Sequence, residues 1–132
     1  MMVRLLVAVI IASASPAFAQ FVSPAGQAVE SCADRRHLEP SFFSSFDVRD
    51  AHKVELIQKM RTAQAFTSIV ETGECSCEQR FPDWDGAISY YLEHYAGIDD
   101  RHEVYAETAV YRDIINSRRL DARAICDAQG NW

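Results

Sequence analysis

Residues 73–82 read Gly-Glu-Cys-Ser-Cys-Glu-Gln-Arg-Phe-Pro and place two cysteines, Cys75 and Cys77, in a polar loop at mid-chain. The other two cysteines are Cys32, towards the amino end, and Cys126, towards the carboxyl end. Four cysteines permit three pairings. A Cys75–Cys77 bridge would close a very small, strained ring. We therefore expect one loop cysteine to pair with Cys32 and the other with Cys126, in an order that the sequence leaves open.

These long-range bridges would tie both ends of the chain to its middle. Each closes a loop of roughly 40 residues or more, for which chain-entropy estimates give about 4 kcal/mol of stabilisation. That is close to the whole stability of a small domain. The cysteines are thus predicted to be structural disulfides.

Residues 1–19 have the layout of a signal peptide. They carry one charge, Arg4, followed by an apolar run and a small-residue ending, Ala17-Phe18-Ala19. We expect cleavage before Gln20, so that residues 20–132 form a single exported domain in the bacterial periplasm or the medium. Such compartments allow disulfides to form and persist.

Three main helices are predicted from hydrophobic periodicity. The first follows Asp47 as its N-cap and ends near Gly73, the second follows Asp83, and the third begins at Asp99 or Asp100. Steps of three and four separate the apolar positions of each helix. In the first these are Val54, Ile57, Met60, Ala63, Phe66, Ile69 and Val70; in the second Trp84, Ala87, Ile88, Tyr91, Leu92 and Tyr95; in the third Val104, Thr108, Tyr111, Ile115, Ala122 and Ile125.

The amino-terminal part of the domain is predicted to add a short helix over residues 28–37, which carries Cys32. The connector that follows, residues 41–46, contains three phenylalanines that we expect to cover one end of the core. Sustained period-two alternation and hairpin dipeptides between strand-like runs do not occur. The fold class is therefore predicted as all-α, a small disulfide-stapled bundle of three main helices plus the short amino-terminal helix.

Charge and hydropathy exclude two classes of partner. The chain carries a formal net charge of −6, and loss of Arg4 with the signal peptide makes the mature protein more acidic. An acidic domain without a basic run is a poor ligand for nucleic acid or anionic lipid. After Ala19 the sequence has no apolar stretch of the roughly 20 residues that span a bilayer. We expect neither nucleic-acid binding nor stable membrane insertion.

Catalytic and metal-binding signatures are not apparent. The histidines do not occur at zinc-site spacings, and His94 and His102 are expected at exposed helix ends. The acidic residues are scattered at helical surface spacing, and Gly-x-Ser-x-Gly and Cys-x-x-Cys-His motifs do not occur. The sequence predicts a protein that is not an enzyme and holds no cofactor. Two alternatives stay open, namely a thiol redox protein that uses Cys75 and Cys77, and a carrier of a small ligand or metal.

Three aromatic residues lie off the buried stripes and indicate an interaction surface. They are Tyr90, Tyr105 and Trp132. Tyrosine and tryptophan are enriched at protein interfaces, where they anchor the partner. We therefore expect this protein to bind another protein, one associated with the cell envelope.

Two segments carry a resemblance to known proteins. They are residues 72–84, Thr-Gly-Glu-Cys-Ser-Cys-Glu-Gln-Arg-Phe-Pro-Asp-Trp, and residues 125–132, Ile-Cys-Asp-Ala-Gln-Gly-Asn-Trp. Both resemble parts of small exported proteins that are encoded with bacterial conjugative, type IV secretion-like systems. The resemblance implies a periplasmic accessory or interaction role and supplies no catalytic residues.

Overall fold

A computed structural model of this protein describes Cys32 and residues 39–132, and the regular secondary structure of these residues is helical. Its four α-helices are α1 (Ala51–Thr72), α2 (Cys77–Arg80), α3 (Trp84–His94) and α4 (Arg101–Ala128), preceded by 3-10 turns at Ser41–Ser45 and Val48–Asp50. Residues 39–132 contain no β-strand. The all-α prediction with three main helices is confirmed, and α2 is a short addition. The predicted signal peptide and the predicted helix over residues 28–37 lie outside the described residues.

The ends of α1 follow from its flanking residues. The Asp47 carboxylate accepts a hydrogen bond from the Arg49 backbone N–H at 2.9 Å and so caps the 3-10 turn, while α1 itself begins three residues after the predicted start. Gly73 ends α1 as predicted, in a left-handed conformation with a φ of 71°, and its N–H donates to the Ile69 carbonyl. Glycine adopts this conformation without the steric penalty of a Cβ atom.

Helix α1 is the central element, since it contacts α2, α3 and α4 and packs most extensively on α4. Its two halves belong to two separate clusters of buried side chains. The first cluster joins the amino-terminal half of α1 to α3 and the start of α4, and it contains Leu56, Ile57, Met60, Ala87, Tyr91 and Val104. The second lies at the other end of α1 and contains Ile69, Cys75, Ala122 and Cys126.

Three phenylalanines cover the outer end of the first cluster, as predicted. The Phe43 ring lies edge-on to Trp84 with 4.9 Å between the ring centroids, and Phe46 lies edge-on to Tyr91 at 6.1 Å. Edge-to-face pairs of this kind stabilise a core by about 0.5–1.5 kcal/mol beyond the area that they bury. The 3-10 turn at Ser41–Ser45 brings these rings together.

The long helix α4 begins where the Asp100 carboxylate accepts a hydrogen bond from the His102 backbone N–H at 2.9 Å. Its predicted inward-facing residues are all buried or half-buried. In α3 the prediction was wrong at one position, because Leu92 is 54% exposed. Helix α3 packs mainly on α1, so only part of its apolar stripe is covered and Leu92 lies at the open edge.

The disulfides join Cys32 to Cys77 and Cys75 to Cys126. This settles the order that the sequence left open and confirms that the loop cysteines have long-range partners. Ser76, between them, is the N-cap of α2, where its hydroxyl accepts a hydrogen bond from the Gln79 N–H while the Gln79 side chain accepts one from the Ser76 N–H. This capping box places Cys75 before the helix and Cys77 within its first turn.

Side chains beyond α4 reinforce the Cys75–Cys126 bridge. The Cys75 N–H donates to the Gln129 side-chain oxygen at 2.8 Å, and the Asn131 amide donates to the Cys75 carbonyl. The Gln129 amide donates in turn to the Gly73 carbonyl at 3.0 Å. The loop between α1 and α2 is thus fixed to the end of α4 by one covalent bond and three hydrogen bonds.

We predict that replacing Cys75 and Cys126 with serine destabilises the protein more than replacing Cys32 and Cys77. The bridges span 51 and 45 residues, so chain entropy gives each about 4 kcal/mol. Cys75 and Cys126 are both 0% exposed, so their replacement also buries hydroxyl groups, at an added cost of about 1–3 kcal/mol. Guanidinium chloride unfolding of both double variants measures the difference. Equal midpoints, or a larger loss for the Cys32–Cys77 variant, would contradict the prediction.

Candidate functional site

A groove of about 570 Å³ lies between α1, α3 and α4 and is here called the interhelical groove. Helix α3, with 11 residues, is shorter than α1 and α4, with 22 and 28 residues, and covers only part of α1. The lining residues are Met60, Ala63, Gln64, Thr67, Ser68, Glu71, Thr72, Gly86, Ala87, Tyr90, Tyr111 and Ile114.

The interhelical groove follows α1 for about 18 Å, given a rise of 1.5 Å per residue from Met60 to Thr72. The α1 residues that line it recur every three or four positions, as expected for one helix face. Its floor is apolar near Met60 and Ala63, and hydroxyl and carboxylate groups replace the apolar side chains towards Thr72. The groove therefore has an apolar end and a polar end.

Two tyrosines form the apolar end of the groove wall. Tyr90 is 46% exposed, and its ring lies 4.1 Å from the His94 ring, centroid to centroid. The Tyr111 hydroxyl is hydrogen-bonded to the Tyr95 hydroxyl at 2.9 Å. Burial is the main cause, and this hydrogen bond the second cause, of a pKa of Tyr111 well above its ordinary value of 10. Tyr111 therefore keeps its proton at alkaline pH values at which an ordinary tyrosine ionises.

Trp132 lies at a second concave surface, of about 400 Å³, on nearly the opposite face of α1. The Trp132 ring is contacted by the Arg80 guanidinium at 4.1 Å and by the Arg123 guanidinium at 5.8 Å. We call this surface the arginine pocket. It is lined by Arg61, Thr62, Phe66, Arg80, Phe81, Arg119, Leu120, Arg123 and Trp132.

The third predicted interaction residue, Tyr105, lies elsewhere. It is 45% exposed near the start of α4, with its ring 5.9 Å from that of His52. The structure therefore does not bring Tyr90, Tyr105 and Trp132 together into one surface. Each of them is exposed, as its position off the buried stripes indicated, but each has different neighbours.

The histidines divide between surface and core. His94 and His102 are exposed near the helix ends where the sequence placed them. His52, about which the sequence gave no signal, is buried, and its Nδ1 lies 3.1 Å from the Arg49 carbonyl. Among the described residues its Nε2 has no hydrogen-bond partner. Within the same residues, no group of three or more histidine, cysteine or acidic side chains is close enough to hold a metal ion.

All four cysteines are in the two disulfides, and none of them is free. Cys75 and Cys77 are not bonded to each other, so the Cys75–Cys77 disulfide on which a redox role would depend is not formed. Cys75 and Cys126 are also completely buried. None of the helices in the described part of the chain is long and apolar enough to cross a membrane.

No protein-family model, curated protein or solved structure matches this chain. The resemblance of residues 72–84 and 125–132 to exported accessory proteins stays a prediction. The interhelical groove, the arginine pocket and the disulfides are therefore the features from which a function is inferred.

The sequence pointed to Tyr90 and Trp132 as exposed aromatic residues but not to the concave surfaces on which they lie. The interhelical groove depends on how far α3 extends along α1, which no local pattern encodes. The arginine pocket had a partial signal in Arg119 and Arg123, which are four residues apart and therefore share a helix face. Arg61 and Arg80 join them only through tertiary packing.

We predict that the free energy of unfolding falls as the pH rises above about 10, the ordinary pKa of tyrosine. The unfolded chain loses the Tyr111 proton there while the folded protein retains it, so the folded state binds more protons and stability decreases with pH. Tyr111→Phe should flatten this decline.

Burial also raises the pKa of Tyr91, so the Tyr111→Phe substitution should reduce the decline without abolishing it. Denaturant unfolding at pH values on either side of 10 measures the slope. Tyr105→Phe, which removes a tyrosine outside the groove, is the matched control. Identical slopes for the parent and Tyr111→Phe would contradict the assignment.

Proposed function

We propose that this chain is an exported, disulfide-cross-linked helical protein that acts without catalysis by binding another protein of the bacterial cell envelope. Two observations support export. Residues 1–19 have the layout of a cleavable signal, and the two disulfides are of the kind that persist outside the reducing cytoplasm. Residues 20–132 would then be the mature domain.

The observation that carries the proposal is the interhelical groove with Tyr90 on its wall. A groove about 18 Å long and open along one side suits an amphipathic helix from a partner, whose anchor residues at i, i+4 and i+7 span about 10 Å. The apolar end near Met60 and Ala63 would receive the anchors. Exposed Tyr90 would then become buried, as aromatic residues at the centre of protein interfaces commonly are.

A more specific form of this proposal is that the protein acts beside a secretion or conjugation apparatus. It is supported by the resemblance of residues 72–84 and 125–132 to exported accessory proteins. In the structure these two segments meet, because Cys75 is bonded to Cys126 and Arg80 donates to the Asn131 carbonyl. The segments that carry the resemblance therefore form one continuous region of the fold.

A small-ligand carrier is the second candidate. The groove volume of about 570 Å³ lies within the range of about 300–1,000 Å³ that is common for small-molecule sites. Such sites usually enclose most of the ligand, whereas this groove is open along its length. Protein binding is therefore favoured, and the test below separates the two candidates.

The test is photo-cross-linking from the groove in the bacterium that makes the protein. A photoreactive phenylalanine replaces Tyr90 in one strain and Tyr105 in another. These positions are 46% and 45% exposed, so they are matched in accessibility and differ in location. We expect a defined protein adduct from position 90 and none, or a different one, from position 105. The same adduct in equal yield from both positions would contradict the groove assignment.

A groove-filling variant completes the test. Gly86 lines the groove, and a Cβ atom there would make only ordinary contacts with Gln64 at 3.8 Å, so the ring of Gly86→Phe would extend from an unstrained Cβ into the groove. Because phenylalanine is a better helix former than glycine, the variant should be as stable as the parent or more stable by roughly 0.5 kcal/mol. It should abolish the adduct from position 90. Ala109→Phe, on the exposed side of α4, is the control and should leave the adduct intact.

The small-ligand alternative predicts a different result. No protein adduct would form, and native mass spectrometry of the gently purified protein would show an added mass that Gly86→Phe removes. That outcome would replace the protein-binding proposal. An adduct that persists in Gly86→Phe would also overturn it, because the partner would then occupy another surface.

Export makes a separate prediction. The mature protein should begin at Gln20, and alkylation without prior reduction should leave all four cysteines unmodified, because each is disulfide-bonded. Intact-mass measurement of protein from a fractionated culture tests both points. An intact residue 1–19 segment together with alkylated cysteines would contradict export. Deletion of residues 2–19 is the control that should retain the protein in the reducing cytoplasm.

A further inference from the structure

The arginine pocket concentrates positive charge on an acidic protein. Four of the chain's 13 basic residues line it, namely Arg61, Arg80, Arg119 and Arg123, and the described residues of the lining include no aspartate or glutamate. The chain as a whole carries a formal net charge of −6. Positive groups that share one concave surface attract small anions, so this clustering favours an anionic ligand.

Two of the arginines are held in place by the fold. The Arg61 Nε donates to the Pro82 carbonyl at 2.6 Å, and the Arg61 guanidinium lies 4.1 Å from the centre of the Trp84 ring. Arg80 donates to the Asn131 carbonyl at 2.8 Å and stacks on Trp132. These contacts fix guanidinium groups beside the pocket before any ligand arrives, which lowers the entropy cost of binding.

The other two arginines are exposed on α4, where an entering ligand can reach them. Arg119 is exposed and makes no ion pair or hydrogen bond with any residue that the structure describes. Arg123 pairs with Asp127 at 3.3 Å, but both side chains are more than half exposed, and ion pairs in such positions are weak. Residues 119 and 123 are about one helical turn apart, so both side chains lie on the same face of α4.

We propose that the arginine pocket binds an oxyanion, a carboxylate or phosphate group, carried on an aromatic or apolar body. Guanidinium groups bind both kinds of oxyanion through paired N–H donors. Phe66 and Trp132, whose ring centroids are 5.9 Å apart, provide the surface for the body of the ligand. The net negative charge of the protein opposes extended polyanions, so the ligand is a compact anion that enters the pocket.

This site is independent of the interhelical groove. Thr62 lines the arginine pocket, whereas Met60 and Gln64 line the groove, and successive α1 residues are turned by about 100°. The two sites therefore lie on nearly opposite faces of α1. Either proposal can fail without the other.

The test is an NMR titration of the disulfide-bonded protein with sodium acetate, sodium benzoate and inorganic phosphate at constant ionic strength. We expect saturable shifts of the Trp132 indole and the Arg119 and Arg123 side chains, with benzoate tighter than acetate because its ring contacts Trp132. Absence of saturable shifts with all three anions overturns the proposal. Equal affinity for benzoate and acetate overturns the part that assigns the aromatic surface to the ligand.

Charge-matched variants separate a defined site from general electrostatics. The double variant R119Q/R123Q should weaken anion binding at least tenfold. The control R112Q/R118Q removes the same charge from α4 at residues that pair with Glu55 and Glu71 outside the pocket, and it should change affinity less than twofold. Equal weakening in both variants overturns the proposal. All four substitutions are at exposed or half-buried positions, so thermal melting should show both variants folded.

A final measurement distinguishes free anions from lipid headgroups. Co-sedimentation with phosphatidylcholine vesicles that contain phosphatidylglycerol should be absent, because the acidic protein surface is repelled by an anionic bilayer. Sedimentation that R119Q/R123Q abolishes and R112Q/R118Q retains would keep the pocket as the site and assign the oxyanion to a lipid headgroup. Sedimentation that both variants retain overturns the pocket as the anion site on membranes.

Discussion

The bond between Cys75 and Cys126 sets the geometry on which the rest of the structure depends. It fixes the loop after α1 to the last turn of α4, and three hydrogen bonds from Gln129 and Asn131 hold the same loop. With their ends joined, α1 and α4 cannot slide past each other. Both concave surfaces use side chains from these two helices, so their shapes depend on this single junction.

Much of the fold could be predicted because its information is local. The periodicity of the apolar residues gave the three main helices, and Gly73 ended α1 where its left-handed conformation was expected. The strain of a Cys75–Cys77 ring predicted that both loop cysteines have distant partners. Which of them pairs with Cys32 and which with Cys126 depends on the local fold, in which Cys75 precedes the Ser76 N-cap and Cys77 lies in the first turn of α2. Exposed Leu92 shows what hydrophobic periodicity cannot predict. Periodicity identifies the apolar face of a helix but not how much of that face a neighbouring helix covers.

The candidate sites were less predictable for a physical reason. Exposure of Tyr90, Tyr105 and Trp132 could be inferred from their positions off the buried stripes, but their surroundings come from tertiary packing. Tyr90 belongs to a groove whose existence depends on the length of α3, and Trp132 lies among arginines from three helices. The result is a protein with two concave surfaces on opposite sides of its central helix, one lined mainly by uncharged residues and one lined by four arginines.

The connectivity of the bridges has a consequence for biogenesis. In chain order the first cysteine is bonded to the third and the second to the fourth, so the two covalent loops interlace. An oxidase acting on a chain that emerges amino end first can join Cys32 to Cys75 as readily as to Cys77, two residues later, and the bond to Cys75 is non-native. Conversion to the mature arrangement then requires thiolate exchange through a mixed disulfide. For an exported chain, correct maturation is therefore expected to depend on a disulfide isomerase in the receiving compartment, in addition to the oxidase.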